Sequence, residues 1–531
     1  AKNFAVCDEW GTYQQCFRVC SVPQVPEHKT HHMPFVRGDF AVYVPRGVSL
    51  IDFRPILFIV GILLCTLSVG MFIPALVDLY YDQTDWVVFS AASLVSLFVG
   101  GALVMMNRMD NLKINSRQAF ILTTLSWLVL TAASALPFAF SDLDMSYTDA
   151  FFEAMSGIST TGSTVIVGLD SAPQGILLWR ALLQWLGGIG IIVMAIAVMP
   201  MLRVGGMQLF RMENSDKSDK AFPRATQIAM GIAMLYLGFT ALWAIMLWWA
   251  GMPPFDAIAH AMTTIATGGF STKDASVGHF DNATIDVIIT LGMVTGALPF
   301  ILYLQMLRGR GQALFCDSQV RWFLAIAVTI VVGLAYWHSE TNNVGFLTAL
   351  RYASFNIMSV MTGTGYATTD YGLWGPFAVT VFFFVMFIGG CAGSTTCGVK
   401  IFRLQVLYEI AKIQLSHMLR PHGVFIAYYN GKPLSEDVTE SVLSFFFLFV
   451  FCFVVLAAGL GAMGLDFMTA VSSAGTAIAN VGPGLGPIVG PSGNFATLPD
   501  GAKWLMSIGM LIGRLEVFTV LVLLFPAFWR D

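Results

Sequence analysis

The chain has 531 residues, 56% of them hydrophobic and only 11% charged, roughly half the charged share of a soluble domain. That balance excludes a soluble globular protein. The formal net charge of −4 says little about partners, and no nucleic acid is expected.

Residues 1–47 differ from all that follows, mixing Cys7, Cys16, Cys20, His28, His31 and His32 with prolines and no apolar run. Their spacings match no zinc pattern, and this arm is read as an extension of unknown role. The eight cysteines of the chain are scattered, so no disulfide framework is expected. Apolar stretches then recur near 56–78, 86–106, 119–140, 176–201, 226–250, 284–307, 321–338, 377–402, 441–464 and 503–528, each about long enough to cross a bilayer as a helix. A transmembrane barrel would instead show short alternating segments. The expected fold is therefore an all-α polytopic membrane protein with ten transmembrane helices.

Lysines and arginines cluster in every second connection: Arg108, Lys113 and Arg117; Arg203, Arg211, Lys217, Lys220 and Arg224; Arg308, Arg310 and Arg321; Lys400, Arg403, Lys412, Arg420 and Lys432; and Arg530. The positive-inside bias makes those loops cytoplasmic and puts both termini inside. The intervening loops carry acids such as Asp82, Asp142, Asp170 and Glu340.

Four of these intervening connections are too apolar for ordinary solvent loops. Set without gaps they read DAFFEAMSGISTTGS (149–163), DAIAHAMTTIATGGF (256–270), YASFNIMSVMTGTGY (352–366) and TAVSSAGTAIANVGP (469–483). Alanine is second, Ser or Thr eighth and Gly fourteenth in every copy. Each copy is a short helix of about twelve residues followed by a glycine turn, and each lies between two spans. The internal repeat is thus span, short helix, turn, span, while the first two spans stand outside it.

A twelve-residue helix cannot cross a bilayer, and irregular backbone at membrane depth survives only where protein or a water-filled cavity surrounds it. Four re-entrant loops around a pseudo-fourfold ion pathway meet that condition. Glycine reaches conformations that aim carbonyls inward, such carbonyls replace a cation's hydration shell, and the helix C-termini add partial negative charge. The predicted filter is Thr160, Thr161 and Gly162; Thr267, Gly268 and Gly269; Gly363, Thr364 and Gly365; and Asn480, Val481 and Gly482. The plain alternative is a set of glycine turns between packed helices. Glu153, His260 and Asn356 share one place in their copies and are expected to make polar contacts behind the filter, with Tyr366 packing there.

The motifs STTGST (159–164), QWLGGIGIIVMA (184–195), ATGGFST (266–272), TGTGYATTD (362–370), GGCAGSTTCGVK (389–400) and NVGPGLG (480–486) resemble the Trk, Ktr and plant HKT superfamily of potassium transporters, most closely its bacterial TrkH branch. The resemblance covers about 50–531. It implies potassium bound at the filter residues, a homodimer in the bacterial inner membrane among lipid, and a cytoplasmic TrkA-like nucleotide-binding regulatory subunit. Two helices ahead of the first repeat fit the TrkH type rather than the shorter Ktr subunits. On this reading 1–47 is the extension, 48–118 two peripheral helices, and 119–225, 226–320, 321–440 and 441–531 the four pore repeats.

The eighth span holds Gly389, Gly390, Gly393 and Gly398. Each costs about 1 kcal/mol against alanine in a helix interior, so this span should break into a loop. In the resembled family the equivalent loop is an intramembrane gate, here Gly389, Gly390, Gly393, Ser394, Thr395, Thr396, Gly398 and Lys400. Close helix packing through small residues is the alternative, and Lys400 also reads as a flanking charge. Arg514 lies inside the last span with Glu516 close behind, and intramembrane charges mark function. The resemblance makes Arg514 an electrostatic barrier in the ion path; pairing with Glu516 or helix carbonyls is the structural alternative.

The sequence therefore points to a channel-like potassium uptake subunit with no cofactor and no enzymatic chemistry. The competing class is an alternating-access cation symporter coupled to protons or sodium. Such folds usually show related halves, whereas four equivalent units favour a pore.

Overall fold

The structure, a computed structural model, describes residues 51–109, 114–197 and 221–530. The Cys/His arm before residue 48 and the bases Lys113, Arg203, Arg211, Lys217 and Lys220 lie outside the described residues.

The described chain is mostly helical. In order run α1 (Arg54–Tyr80), α2 (Trp86–Met106), α3 (Ser116–Phe140), α4 (Tyr147–Ile158), α5 (Gln174–Ala197), α6 (Ala221–Trp249), α7 (Pro254–Ile265), α8 (Ala283–Ala297), α9 (Phe300–Leu307) and α10 (Gln312–Cys316). Then come α11 (Ser318–Asn342), α12 (Phe346–Met361), α13 (Pro376–Val385), α14 (Ile401–Leu419), α15 (Glu436–Ala462), α16 (Phe467–Ala479), α17 (Asp500–Arg514), α18 (Val517–Leu521) and α19 (Pro526–Arg530). A two-residue hairpin, Tyr428–Tyr429 with Lys432–Pro433, lies between α14 and α15.

Local chemistry sets the helix starts. Asn115 and Gln118 form a capping box at α3, satisfying two backbone donors reciprocally. Ser146, Asp317 and Asp466 each accept a backbone N–H at the first turns of α4, α11 and α16. The α1–α2 hairpin closes through small residues: a Cβ on Gly61 would lie 2.8 Å from the Gly100 carbonyl oxygen, and the Ser68 and Ser93 hydroxyls meet at 3.0 Å. Close backbone approach with polar cross-links is how helices associate in lipid.

Among the described residues seven helices are long and apolar enough to cross a membrane, and up to nine if each of two bent pairs is one span. Two of the ten spans expected from the sequence are bent and a third is broken. The sixth is α8 plus α9, bent by 94°; Pro299 has no N–H to continue the helix and holds Leu298 extended, as residues before proline prefer. The tenth is α17 plus the helical stretch after it, bent by 114° at Glu516, whose φ is +64°. The eighth is helical only over α13 and continues as irregular chain to Lys400, as its glycines predict.

The long helices other than α5 keep much of their surface exposed, whereas α4, α7 and α16 are buried on every side over most of their lengths. A helix apolar or small all round belongs in a core. The short helices accordingly form the centre together with α5, and the other long helices surround them.

Candidate functional site

Each of α4, α7, α12 and α16 ends in a turn of the same backbone shape. The residue at the twelfth place of each repeat has positive φ: Thr160 (+53°), Thr267 (+51°), Gly363 (+72°) and Asn480 (+55°). So does the fourteenth: Gly162 (+91°), Gly269 (+78°), Gly365 (+86°) and Gly482 (+103°). The residue between them is not in that region. Alternating handedness turns successive peptide groups the same way, so that N–H groups share one side and carbonyls the other.

Two of the left-handed residues are threonines, whose branched Cβ makes this conformation a true outlier costing about 1–3 kcal/mol. A common hydrogen bond enforces the shape. The N–H of the thirteenth residue donates to the carbonyl of the eighth: Thr161 to Ser156 at 2.9 Å, Gly268 to Thr263 at 2.9 Å, Thr364 to Ser359 at 2.8 Å and Val481 to Thr476 at 3.2 Å. The Ser or Thr repeated at the eighth place thus marks the end of each short helix.

The four turns touch in cyclic order. A Cβ added at Gly162 would lie 2.4 Å from the Gly268 oxygen, and one at Gly269 1.8 Å from the Thr364 oxygen. At Gly365 it would lie 2.2 Å from the Val481 oxygen, and at Gly482 2.9 Å from the Thr161 oxygen. Each fourteenth residue abuts the thirteenth carbonyl of the next turn, and the last meets the first. All twelve residues proposed from sequence are brought together in this ring.

Behind the ring, the polar residues at the shared helical place brace the returning chain. Glu153 accepts from the Thr164 hydroxyl at 3.0 Å and the Val165 N–H at 2.9 Å. His260 Nε2 meets the Ser271 hydroxyl at 3.0 Å, and Asn356 Nδ2 donates to the Thr368 hydroxyl at 2.9 Å. Tyr366 is fully buried, its hydroxyl 2.5 Å from Thr263 Oγ1, so it ties the third turn to the second helix.

Sequence reasoning missed two residues of α5. Arg180, almost fully buried, pairs with Glu153 at 2.8 Å, donates to the Ser271 carbonyl at 2.7 Å and stacks 4.1 Å from the Phe270 ring. Gln184 clasps the second turn, donating to the Gly268 carbonyl at 2.6 Å and accepting from the Phe270 N–H at 2.9 Å. The available signal was a base and an amide four residues apart at the head of an apolar span, in WRALLQWLGG.

The eight loop residues singled out between α13 and α14 pack against one side of the ring. Thr395 carries the junction: its N–H donates to the Gly296 carbonyl at 3.1 Å, and its hydroxyl lies 3.1 Å from both the Ile265 carbonyl and Thr267 Oγ1. The Cys391 N–H donates to the Ala297 carbonyl and the Gly393 carbonyl accepts from Phe300, both at 3.0 Å. The bend at Pro299 therefore frees carbonyls that the loop satisfies. Within the loop, Ser394 and Thr396 hydroxyls meet at 2.7 Å, and Lys400 Nζ donates to the Thr396 carbonyl at 2.6 Å. Gly389 N–H donates to the Val399 carbonyl and Gly390 carbonyl accepts from Ile401; Gly398 has φ +70°.

Arg514 ends α17 and reaches this loop. Its Nη1 donates to the Thr395 carbonyl at 3.2 Å and contacts Cys397 Sγ at 2.6 Å, while Nη2 donates to the Gly187 carbonyl at 2.8 Å. Its Nε has no hydrogen-bond partner among the described residues. Glu516 does not pair with it; Glu516 forms a buried ion pair with Arg403, whose guanidinium lies 3.7 Å over the Phe445 ring. One cavity adjoins the ring and another adjoins the loop. The first is lined by Gly162, Gly269, Gly365 and Gly482, the second by Gly393, Thr396, Lys400 and Arg514.

The profile of the family TrkH, cation transport protein, matches residues 87–530. The chain belongs to the TrkH family of cation transport proteins. This TrkH-family chain is 45% identical over 484 residues to the Trk system potassium uptake protein TrkI of Halomonas elongata, covering 91% of this chain and 98% of that one. It is 39% identical over 485 residues to the Trk system potassium uptake protein TrkH of Escherichia coli, covering 90% and 100%. Its structure resembles the crystal structure of the potassium transporter TrkH from Vibrio parahaemolyticus with a TM-score of 0.83 and 38% identity, over 90% of this chain and 100% of that one. Membership of the TrkH family together with its apolar helices makes it a multi-pass membrane protein that transports cations, not an enzyme.

Proposed function

We propose that this chain is the potassium-translocating subunit of a Trk-type uptake system, with potassium partly dehydrated at the ring formed by Thr160–Gly162, Thr267–Gly269, Gly363–Gly365 and Asn480–Gly482. The observation that carries the reading is the cyclic contact of the four turns: four equivalent backbones meeting at one point supply a ring of carbonyls, which suits a dehydrated cation. The relatives' names as potassium uptake proteins support the choice of ion.

On this reading four pore repeats (119–225, 226–320, 321–440 and 441–531) surround a pseudo-fourfold axis, with 48–118 peripheral to it. The loop 389–400 is the gate. Arg514 is a barrier to cations, supported by the absence of any carboxylate partner for its charge among the described residues. The subunit works as a homodimer in the bacterial inner membrane, both termini cytoplasmic, under a TrkA-like nucleotide-binding partner. Because α14 follows the loop directly and its Arg403 is tied to Glu516 at the bend of the last span, movement of α14 by such a partner would reach the loop and Arg514 together.

The test is cation flux into sealed vesicles containing the purified chain. Gly162→Ser places a side chain against the neighbouring Gly268 carbonyl. The potassium-to-sodium flux ratio is expected to fall by about tenfold, the equivalent of about 1.4 kcal/mol of discrimination. An unchanged ratio in a variant that still conducts would remove the ring from the ion path.

A further inference from the structure

Away from the ring, α1, α3 and α5 leave a groove whose walls are apolar side chains, among them Ile59 and Leu63 of α1, Leu122 and Trp127 of α3 and Leu186 of α5. The hydroxyls along it are already used: Thr66 donates to the Ile62 carbonyl at 3.0 Å, Thr123 to Ala119 at 2.8 Å and Ser126 to Thr123 at 3.0 Å. None of the three has a proton left to donate to a polar ligand, and a bound water needs two to four polar partners. All three helices are apolar enough to span a bilayer, and Ile59, Leu63 and Leu186 are only partly buried while Gly190 is exposed, so the groove opens toward hydrocarbon. An empty groove would forfeit the dispersion contacts of its lining.

The groove also reaches working parts of the molecule. Its lining includes Ile158, the last residue of α4, and Gly187, whose carbonyl holds Arg514. The Trp127 ring centroid lies 5.8 Å from the Arg514 guanidinium carbon. We propose that this groove seats one acyl chain of a membrane phospholipid, packed between Trp127 and the back of the first short helix. The inference is independent of which cation the ring passes.

Gly190 gives a clean probe, because it lines the groove and a Cβ there meets no atom within 4 Å. The full chain is reconstituted in phosphatidylethanolamine–phosphatidylglycerol vesicles containing acyl-brominated phospholipid. The Trp127 contribution is taken as the fluorescence difference between the natural chain and Trp127→Phe. Bromolipid is expected to quench that contribution, and Gly190→Phe is expected to cut the quenching by more than half; Leu63→Phe serves as a second groove-filling variant should Gly190→Phe not fold. Absence of quenching in the natural chain, or equal quenching with the groove filled, overturns the proposal. A change of oligomeric state in Gly190→Phe at constant quenching also overturns it, assigning the groove to a second copy of the chain.

Discussion

Gly269 concentrates the physics of the ring in one residue. Its φ of +78° costs an L-residue about 1–2 kcal/mol, and a Cβ there would lie 1.8 Å from the Thr364 carbonyl oxygen, so alanine must displace the neighbouring turn. Gly269→Ala is expected to lower cation flux at least tenfold, whereas Gly311→Ala, where φ is −59° and no atom lies within 4 Å of the added carbon, leaves it unchanged; vesicle flux at matched protein content decides. The fourteenth-place glycine was legible in the sequence because only that residue tolerates both constraints. The left-handed twelfth place was not, since Thr160, Thr267, Gly363 and Asn480 share no side-chain property that demands it. There the hydrogen bond from the thirteenth N–H to the eighth carbonyl overrides threonine's preference.

The loop 389–400 shows what decides structure at the level of an element. Its four glycines predict a break, but its position comes from the carbonyls of Gly296 and Ala297, which the bend at Pro299 leaves open for Thr395 and Cys391. Arg514 then pins the loop from the far side. Arg514→Ala is expected to raise basal flux measured without any regulatory partner; lower flux at unchanged protein level would make the guanidinium a structural clamp. The second bend has a different origin. No proline or glycine stands at Leu515 or Glu516, and a carboxylate drawn to buried Arg403 holds the backbone at φ +64°. Glu516→Gln removes the carboxylate of this buried pair, a change worth about 3–5 kcal/mol. The thermal unfolding midpoint should fall clearly, and adding Arg403→Met should recover part of the loss. Hydropathy locates the tenth apolar stretch at 503–528 but not the bend within it, because hydropathy cannot see a tertiary ion pair.

Across the whole molecule, the last repeat is stitched to the first. Lys503 of α17 pairs with Asp149 of α4 at 2.5 Å, Trp504 stacks on Phe151 with ring centroids 4.6 Å apart, and the Ser163 hydroxyl donates to the Gly482 carbonyl at 2.7 Å. Lys503→Met is expected to lower thermal stability by about 1 kcal/mol, within the range of partly exposed ion pairs, while leaving the potassium-to-sodium flux ratio unchanged. A shifted ratio would mean that ring closure depends on this pair. The amino-acid sequence by itself determined the membrane class, the four short helices and the glycine offsets, because hydropathy and local backbone freedom are properties of contiguous residues. The order in which the turns touch, the burial of Arg180 with Glu153 and the two bends were decided only in the tertiary structure. They rest on contacts between residues up to several hundred positions apart, where a carbonyl, an N–H or a charge must find its partner once water is excluded.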